Sequence, residues 1–401
     1  MTSNWNRAAL VAGLFAAVWS VPAYADSGPK ISPAVAKPLL EAQKLMAAGD
    51  LKTALDMVHE AQAVPGRTAF DDYEINQFVA NIAVGQKDFP TAATAYEALA
   101  DSPMLDQDEN KVSTLSNAVI LSSSIQHYQK SLQYGDRLAA LGPLTYKVQG
   151  TLAIDYFDLH DFAHAKDLAQ KAIDGAKAAG QQPDPNWLSV MVNSQMKSND
   201  TAGAEASMEQ LAATSGSPDA WANIIRYGID HWKPREIDAI DLLRLAVVTN
   251  AAVSASDYTF MAGLALRKGY PGDALTASRH GGSAPGAAAK AATDERDLPR
   301  EEAASKSQKG EFSVQLAEDY YGYGRYAEAE AAARRAIEKG GVKDPGEGHM
   351  VLGMALVGLG RPADAAQAFQ AVSGGTGETR AAHLWMLYAQ SKSAPASASA
   401  H

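Results

Sequence analysis

Histidine and serine side chains occur in this sequence at spacings that metal sites and hydrolases use. His160 and His164 have the i, i+4 spacing of two metal ligands on one helix face, but no HExxH pattern surrounds them and His160 falls in a turn. Ser122, Ser123 and Ser124 lack the strand, turn and helix context of a nucleophile elbow. The chain has no cysteine, which excludes a cysteine nucleophile.

Acidic and glycine-rich segments are the other candidates for chemistry. The segment 294–302, DERDLPREE, gathers carboxylates, but arginines are interleaved with them, as on a solvated charged face. Gly322 and Gly324 open an amphipathic run as a phosphate loop does, but such a loop follows a strand, and here the helical pattern EFSVQLAEDY comes first. We therefore predict no active site, no metal site, no cofactor and no enzymatic activity.

The first 25 residues have the features of a secretory signal peptide. Arg7 is followed by an apolar stretch of about 14 residues, which is short for a membrane span, and then by Ala23-Tyr24-Ala25. Cleavage is expected after Ala25, which leaves no transmembrane segment and places the protein in the periplasm or outside the cell. An uncleaved membrane anchor is the alternative.

The composition is that of an acidic helical protein. A net charge of -11 without a concentrated Lys/Arg cluster argues against nucleic acid as a partner. A hydrophobic content of 46% in 401 residues supports a large core, which disulfides cannot reinforce. Apolar residues return every three or four positions and strand-like alternation is scarce, so the pattern predicts an all-α fold.

A triple recurs along the chain: a small residue, a glycine seven positions later, and an alanine five positions after that. The clear copies are Ala42/Gly49/Ala54, Ala262/Gly269/Ala274, Ala317/Gly324/Ala329 and Gly353/Gly360/Ala365. Copies with a different middle residue are Ala80/Lys87/Ala92, Ala153/His160/Ala165 and Val192/Asn199/Ala204, and weak copies are Val119/Gln126/Ser131 and Tyr227/Pro234/Ala239. First members lie 34 to 39 residues apart, except for one interval of 55, which predicts nine helix-turn-helix units and one insertion.

Each position of the triple has a physical role. Antiparallel helices approach closely where side chains are small, and glycine ends the first helix by adopting a left-handed conformation. Asp50, Asp88, Asp161 and Asp200 follow the turns, where a carboxylate can accept hydrogen bonds from the free N–H groups of the second helix. We predict these four residues as helix N-caps.

This pattern resembles the tetratricopeptide repeat (TPR) family, whose unit is a helix-turn-helix of about 34 residues. The clearest copies are FSVQLAEDYYGYGRYAEAEAAARRAI and HMVLGMALVGLGRPADAAQAFQAV, and in YTFMAGLALRKGYPGDAL Tyr258 stands where the family has a leading Trp. The resemblance implies an α-solenoid of about nine repeats in a right-handed superhelix. It also implies a concave groove, lined by the first helices, in which family members bind peptides or protein segments.

The repeats divide the mature chain into segments. Residues 26–280 hold repeats that are degenerate in the middle, and 311–391 hold further repeats and a capping helix. The interval 281–310 is either a hinge or a surface insertion, with one or two short helices broken near Pro299. The tail 392–401 is predicted to be disordered.

Projection of the repeat onto the first helices predicts which side chains face the groove. The candidates for partner binding are Trp221, His231, Trp232, Asn193, Lys197, Phe157 and Tyr321. Aromatic anchors beside amide and charged side chains suit peptide capture, and Trp221, His231 and Trp232 are the densest cluster. The projection also places Glu74, Gln77, Asn81, Lys147, Asn186, Glu311 and Glu318 there. The family's Lys/Asn clamp for a C-terminal carboxylate is not reproduced.

The resemblance to the TPR family and the predicted signal peptide together lead us to expect a non-enzymatic periplasmic scaffold that binds protein or peptide partners of the cell envelope. Such a scaffold would serve envelope assembly, secretion or polysaccharide export. One alternative is the helical-solenoid component of a cell-wall or glycan-handling enzyme system, and another is a membrane-linked export component.

Overall fold

The computed structural model of the chain describes residues 29–393. These residues form twenty α-helices and a short 3₁₀ segment, Leu105–Gln107, and contain no strand. This confirms the predicted all-α fold. The predicted signal peptide lies outside the described residues, as does the predicted disordered tail except for Lys392 and Ser393, which belong to the last helix.

The chain divides into two compact units between Ala204 and Glu205. The helices of the first unit are α1 (Pro33–Ala47), α2 (Leu51–Gln62), α3 (Ala69–Gly85), α4 (Phe89–Asp101), α5 (Lys111–Ser124), α6 (Tyr128–Leu141), α7 (Tyr146–Asp158), α8 (Phe162–Ala178) and α9 (Pro185–Lys197). The division falls within α10 (Thr201–Ser215).

The helices of the second unit after α10 are α11 (Pro218–His231), α12 (Glu236–Thr249), α13 (Ala255–Lys268), α14 (Pro271–Arg279), α15 (Ala287–Ser305), α16 (Gly310–Gly322), α17 (Tyr326–Lys339), α18 (Pro345–Gly358), α19 (Pro362–Gln370) and α20 (Thr376–Ser393). The segment 281–310 therefore belongs to the second unit, and whether it acts as a hinge or an insertion stays a prediction.

The turns between paired helices confirm the register of the repeat. The middle residue of the triple has a positive φ whether or not it is glycine, as at Gly49 (+81°), His160 (+65°) and Asn199 (+58°). The same holds for Lys87, Gln126, Gly269, Gly324 and Gly360. In the remaining copy the residue with positive φ is Lys233 instead of Pro234, because the proline ring fixes φ at a negative value.

The four predicted caps are also confirmed. Asp50 accepts a hydrogen bond from the backbone N–H of Thr53 at 3.1 Å, and Asp88 accepts one from Thr91 at 3.2 Å. In the same way Asp161 caps α8 through the N–H of His164 at 3.2 Å, and Asp200 caps α10 through that of Gly203 at 3.1 Å. Turn and cap together fix where α2, α4, α8 and α10 begin.

The first unit is a stack of hairpins, and its buried apolar residues between Val35 and Leu152 form one continuous core. The first helices lie side by side, with α3 against α1, and α7 between α5 and α9. Small residues allow the close approach: a Cβ atom on Gly150 of α7 would lie 2.1 Å from the indole ring of Trp187 on α9. The exposed faces of α7 and α9 therefore form one surface.

The second unit encloses α12. Ten consecutive residues of this helix, 237–246, are buried, so no face of α12 is in contact with solvent along that length. A helix buried all round belongs to the interior of a unit. It packs against α11, α13 and α20, and its side chains reach α14 and α16.

The interval between the seventh and eighth hairpins contains the single helix α15, which packs against α14 and α16. The predicted break at Pro299 is wrong, because α15 continues through this residue. Buried Leu298 and Ser305 hold the helix on both sides of the proline, and that packing offsets the ~3 kcal/mol cost of proline within a helix.

Candidate functional site

The first unit leaves most of its predicted groove positions accessible. We call the following residues the first-helix face, since all lie on first helices of hairpins and are exposed or half-buried: Glu74, Gln77 and Asn81 on α3, Lys147 and Phe157 on α7, and Asn186, Asn193 and Lys197 on α9. Half of them carry a side-chain amide, two are lysines, one is aromatic and one is acidic.

The part of this face on α7 and α9 holds three of the predicted binding residues. Asn193 and Lys197 are exposed and lie one helical turn apart on α9. The side-chain amide of Asn193 donates to the backbone carbonyl of Ser189 at 2.8 Å, which orients it. Phe157, near the end of α7, is half-buried and packs edge-on against Phe162 with 5.4 Å between ring centroids. The structure thus places the three on adjacent helices.

The charge of the first-helix face is low and leans positive. Burial raises the pKa of Glu74 to about 7, and repulsion from Asp108 adds to the shift. A carboxyl with that pKa is only partly ionised at neutral pH, whereas Lys147 and Lys197 are exposed. The face therefore differs from the chain as a whole, which carries a net charge of -11.

The structure corrects the predicted exposure of Trp221 and Tyr321. Trp221 is 2% exposed and packs edge-on against Tyr388 of α20, with 5.9 Å between ring centroids. Tyr321 is 7% exposed and lies under the guanidinium of Arg244 from α12, 5.0 Å from its carbon to the ring centroid. Because α12 and α20 cover them, neither ring is accessible in this conformation, and their role in partner binding stays a prediction.

His231 and Trp232 lie at the end of α11 in different environments. His231 is exposed and stacks on Tyr227, with 4.4 Å between centroids. Trp232 is half-buried, and the guanidinium carbon of Arg380 from α20 lies 5.2 Å from the centroid of its ring. The predicted patch of Trp221, His231 and Trp232 is therefore split between the interior and the surface of the second unit.

A buried ionic cluster joins α12 to the helices around it. Arg244, 2% exposed, donates to Asp273 of α14 at 2.9 and 2.6 Å and to Asp241 at 2.9 Å. It also donates to Glu318 of α16, which the sequence had placed in the groove.

The cluster gathers three carboxylates around one guanidinium. Burial raises the pKa of Asp241 and that of Glu318, although Arg244 opposes the shift at both. Because the cluster is enclosed, its role is structural: it holds α12 against α14 and α16. A signal for it was present in the sequence, because Asp241 and Arg244 interrupt an otherwise apolar run.

The residues that first suggested chemistry have structural roles. His164 Nδ1 pairs with Asp161 at 2.7 Å and its ring stacks on Tyr156. Ser122 donates to the carboxylate of Glu97 at 2.9 Å. Among residues 29–393, no group of three or more His, Asp or Glu side chains is arranged to hold a metal ion.

One cleft in the second unit lies between α15, α16 and α17. Its volume is about 390 Å³, and it is lined by Pro299, Glu302, Tyr320, Arg325, Glu328 and Ala331. Arg325 pairs with Glu328 at 2.8 Å and lies over the ring of Tyr320 at 4.6 Å. The basic group of this cleft is therefore already bound to its own neighbours.

The chain has a TPR-like helical-repeat fold. The left-handed turns, the capping aspartates and the packing of successive hairpins establish it. No family model matches the chain, and no curated protein matches its sequence. Among solved structures, the chain is similar to the TPR domain of P58(IPK), known from a crystal structure at 2.5 Å, with 12% sequence identity over 89% of this chain and 98% of that chain, at a TM-score of 0.26.

No helix within residues 29–393 combines the length and the apolar character that crossing a bilayer requires.

Proposed function

We propose that the protein is a non-enzymatic scaffold of the periplasm or the extracellular space, and that it binds a protein or peptide segment on the first-helix face of the first unit. One observation carries the proposal. Asn186 is half-buried and Asn193 is exposed in the first unit, whereas the residues at the matching positions of the repeat in the second unit, Trp221 and Glu318, are both buried.

The chemistry of the first-helix face suits a polypeptide segment. A side-chain amide both donates and accepts hydrogen bonds, so Gln77, Asn81 and Asn193 can pair with the N–H and C=O groups of a bound backbone. Phe157 offers an apolar contact of the kind that anchors protein interfaces. Lys147 and Lys197 favour a segment that is neutral or acidic over one that is basic.

The location and the lack of catalysis rest on the sequence. Arg7, the short apolar stretch and Ala23-Tyr24-Ala25 support export from the cytoplasm. The candidate catalytic residues are committed to caps and internal pairs, as His164 is to Asp161. Both features favour a binding protein that acts after secretion.

Site-specific crosslinking tests the proposal. A photoreactive amino acid at position 193 should capture a protein partner in intact cells, because this side chain lies on the first-helix face. The matched control is position 171, since Lys171 is an exposed residue on α8, a second helix of a hairpin. Asn193→Ala combined with Lys197→Ala should weaken capture by a probe at position 147 while leaving thermal unfolding unchanged.

Three outcomes would contradict the proposal. Equal capture at positions 193 and 171 would show that the first-helix face is not a specific site. Retention of a glycan in place of a protein would favour a role in glycan handling. Recovery of the protein in the cytoplasm, with residues 1–25 uncleaved, would refute the proposed location.

A further inference from the structure

A single guanidinium joins three helices of the second unit. Arg235 precedes α12, Asp344 precedes α18, and Glu378 lies in the first turn of α20. Arg235 donates to Glu378 at 3.1 Å, to Asp238 at 2.7 Å, and also to Asp344. Asp344 and Glu378, which follow Arg235 by 109 and 143 positions in the chain, therefore meet at its side chain.

The carboxyl group of Glu378 lies in a tight pocket of backbone. The residue is 2% exposed. A Cβ atom on Gly346 or on Gly374 would lie 2.1 Å from one of its oxygens, so these two glycines leave the space that the carboxyl group occupies. Its Oε1 is buried and receives no hydrogen bond from an N–H or O–H donor of the described residues. The group is thus held where water does not reach it.

The carboxyl groups of Glu378 and Asp344 both accept hydrogen bonds from the guanidinium of Arg235, so the two carboxyl groups are neighbours. Oε1 of Glu378 is enclosed and accepts no hydrogen bond from the described residues, and burial without a donor disfavours the ionised form of a carboxyl group. Burial raises the pKa of Glu378 to about 8, and repulsion from Asp344 contributes next. The proton is therefore retained on Glu378 under mildly acidic and neutral conditions.

The charged groups around Glu378 do not balance the negative charge that Glu378 would carry if it ionised. The start of α12 contributes Arg235 and Asp238, and the start of α18 contributes Asp344 and Glu347. On α20 itself, Arg380 lies over Trp232 and pairs with Glu205 at 3.6 Å, and His383 pairs with Glu209 at 3.3 Å. The junction thus has one guanidinium facing four carboxyl groups.

We propose that the junction of Arg235, Asp344 and Glu378 is a proton-dependent latch, which holds α20 against α12 and α18 while Glu378 is protonated and loosens when Glu378 ionises. Opening would expose the face of α20 that carries Trp385 and Tyr388. This device is independent of the first-helix face.

The direction of the pH effect follows from the linkage between opening of the latch and proton binding by Glu378. A carboxyl whose folded-state pKa lies above its unfolded value favours the closed state at low pH, and this contribution is lost as pH rises from about 4.5 to about 8. For one proton, the opening equilibrium increases up to roughly tenfold per pH unit within that window and levels off above it. The latch is therefore closed in acid and weakest in alkali.

Hydrogen exchange of the mature protein tests this. Protection factors of α20 amides at pH 6, 7 and 8 should fall by up to roughly tenfold per unit after correction for intrinsic exchange, more steeply than those of α13. Glu378→Gln should abolish the extra pH dependence of α20 relative to α13, because glutamine has the shape of the protonated acid but cannot ionise. The matched control is Glu338→Gln, since Glu338 is exposed on α17 and should keep the wild-type slope.

The latch is refuted if α20 and α13 show the same pH dependence, or if Glu378→Gln retains the wild-type slope. If Glu378→Gln does not fold, Asp344→Asn serves in its place, because asparagine can still cap α18 while removing the charge beside Glu378. An unchanged slope in Asp344→Asn would equally overturn the proposal. Binding at the first-helix face is not involved in either measurement.

Discussion

The indole N–H of Trp385 on α20 donates a hydrogen bond to the backbone carbonyl of Asp241 on α12, with 3.0 Å between the two atoms. Trp385 is fully buried, and its ring packs against Phe369 at 5.8 Å and against Tyr388 at 6.5 Å between centroids. One side chain therefore links the central helix of the second unit to its last helix.

Trp385→Ala should destabilise the second unit strongly. Truncation of a fully buried tryptophan removes apolar contacts and leaves a cavity, which costs about 3–5 kcal/mol. Trp385→Phe keeps a ring but loses the bond to Asp241, so we expect a smaller loss than for alanine. Urea unfolding followed by circular dichroism measures both.

The matched control for Trp385 is Phe260→Ala, since Phe260 is 47% exposed on α13. We expect a change below about 1 kcal/mol there. A loss at Phe260 as large as that at Trp385 would mean that Trp385 has no special role in closing the unit.

Arg244→Met should cost about 3–5 kcal/mol at neutral pH, because it leaves Asp241, Asp273 and Glu318 buried without their cation. Arg334→Met is the control. Arg334 is 54% exposed and pairs with Glu330 one turn away, an arrangement worth about 0.5 kcal/mol or less. Chemical denaturation of both variants at pH 7 measures the difference, and equal losses would show that enclosure of the cluster adds nothing.

His160→Gly should stabilise the first unit by about 1 kcal/mol, because His160 has a φ of +65°, which a side chain with a Cβ disfavours. Gly324→Ala should destabilise the second unit by a similar amount, since Gly324 occupies the same turn position at +74°. The pair is compared by thermal unfolding. Changes of the same sign at both positions would contradict the equivalence of the two turns.

The first unit should lose stability in acid partly through Glu97. Burial alone would raise the pKa of Glu97, but hydrogen bonds from Lys130, His127 and Ser122 outweigh burial and lower it below the usual value of 4.5. A depressed folded-state pKa stabilises the protein above the unfolded value, and that stability is lost as pH falls through the folded one.

In the Glu97→Gln variant, stability should therefore fall less steeply as the pH is lowered. The substitution should also cost about 1–3 kcal/mol at pH 7, because His127 and Lys130 lose a carboxylate and Lys130 keeps only Asp101 at 3.5 Å. Urea titrations at several pH values between 3 and 7 measure this slope. A slope identical to that of the wild type would show that Glu97 does not carry the effect.

The hairpins could be predicted because their determinants are local. The turn at His160 and the cap at Asp161 involve residues within a few positions of each other, so spacing alone placed them. The same reasoning located Asn193 and Lys197 on the accessible side of α9.

The enclosure of α12 could not be predicted in this way. Whether Trp221 faces solvent depends on Tyr388, which reaches it from a helix that begins about 150 positions later, and no local pattern records that contact. The sequence carries one sign of it: apolar residues of EIDAIDLLRLAVV are distributed all round the helix, not on one side, which indicates an interior helix. The mixed environment of Trp232 likewise depends on Arg380 from the distant α20.

The position of α12 has a consequence for the order of folding. Hairpins of the first unit pack mainly on their neighbours in sequence, so they can form one after another as the chain becomes available. The second unit cannot cover α12 until α20 arrives, since Asp241 and Trp385 are 144 positions apart. Contacts of such long range slow folding. During refolding from denaturant, the second unit should therefore be the later of the two to become resistant to proteases.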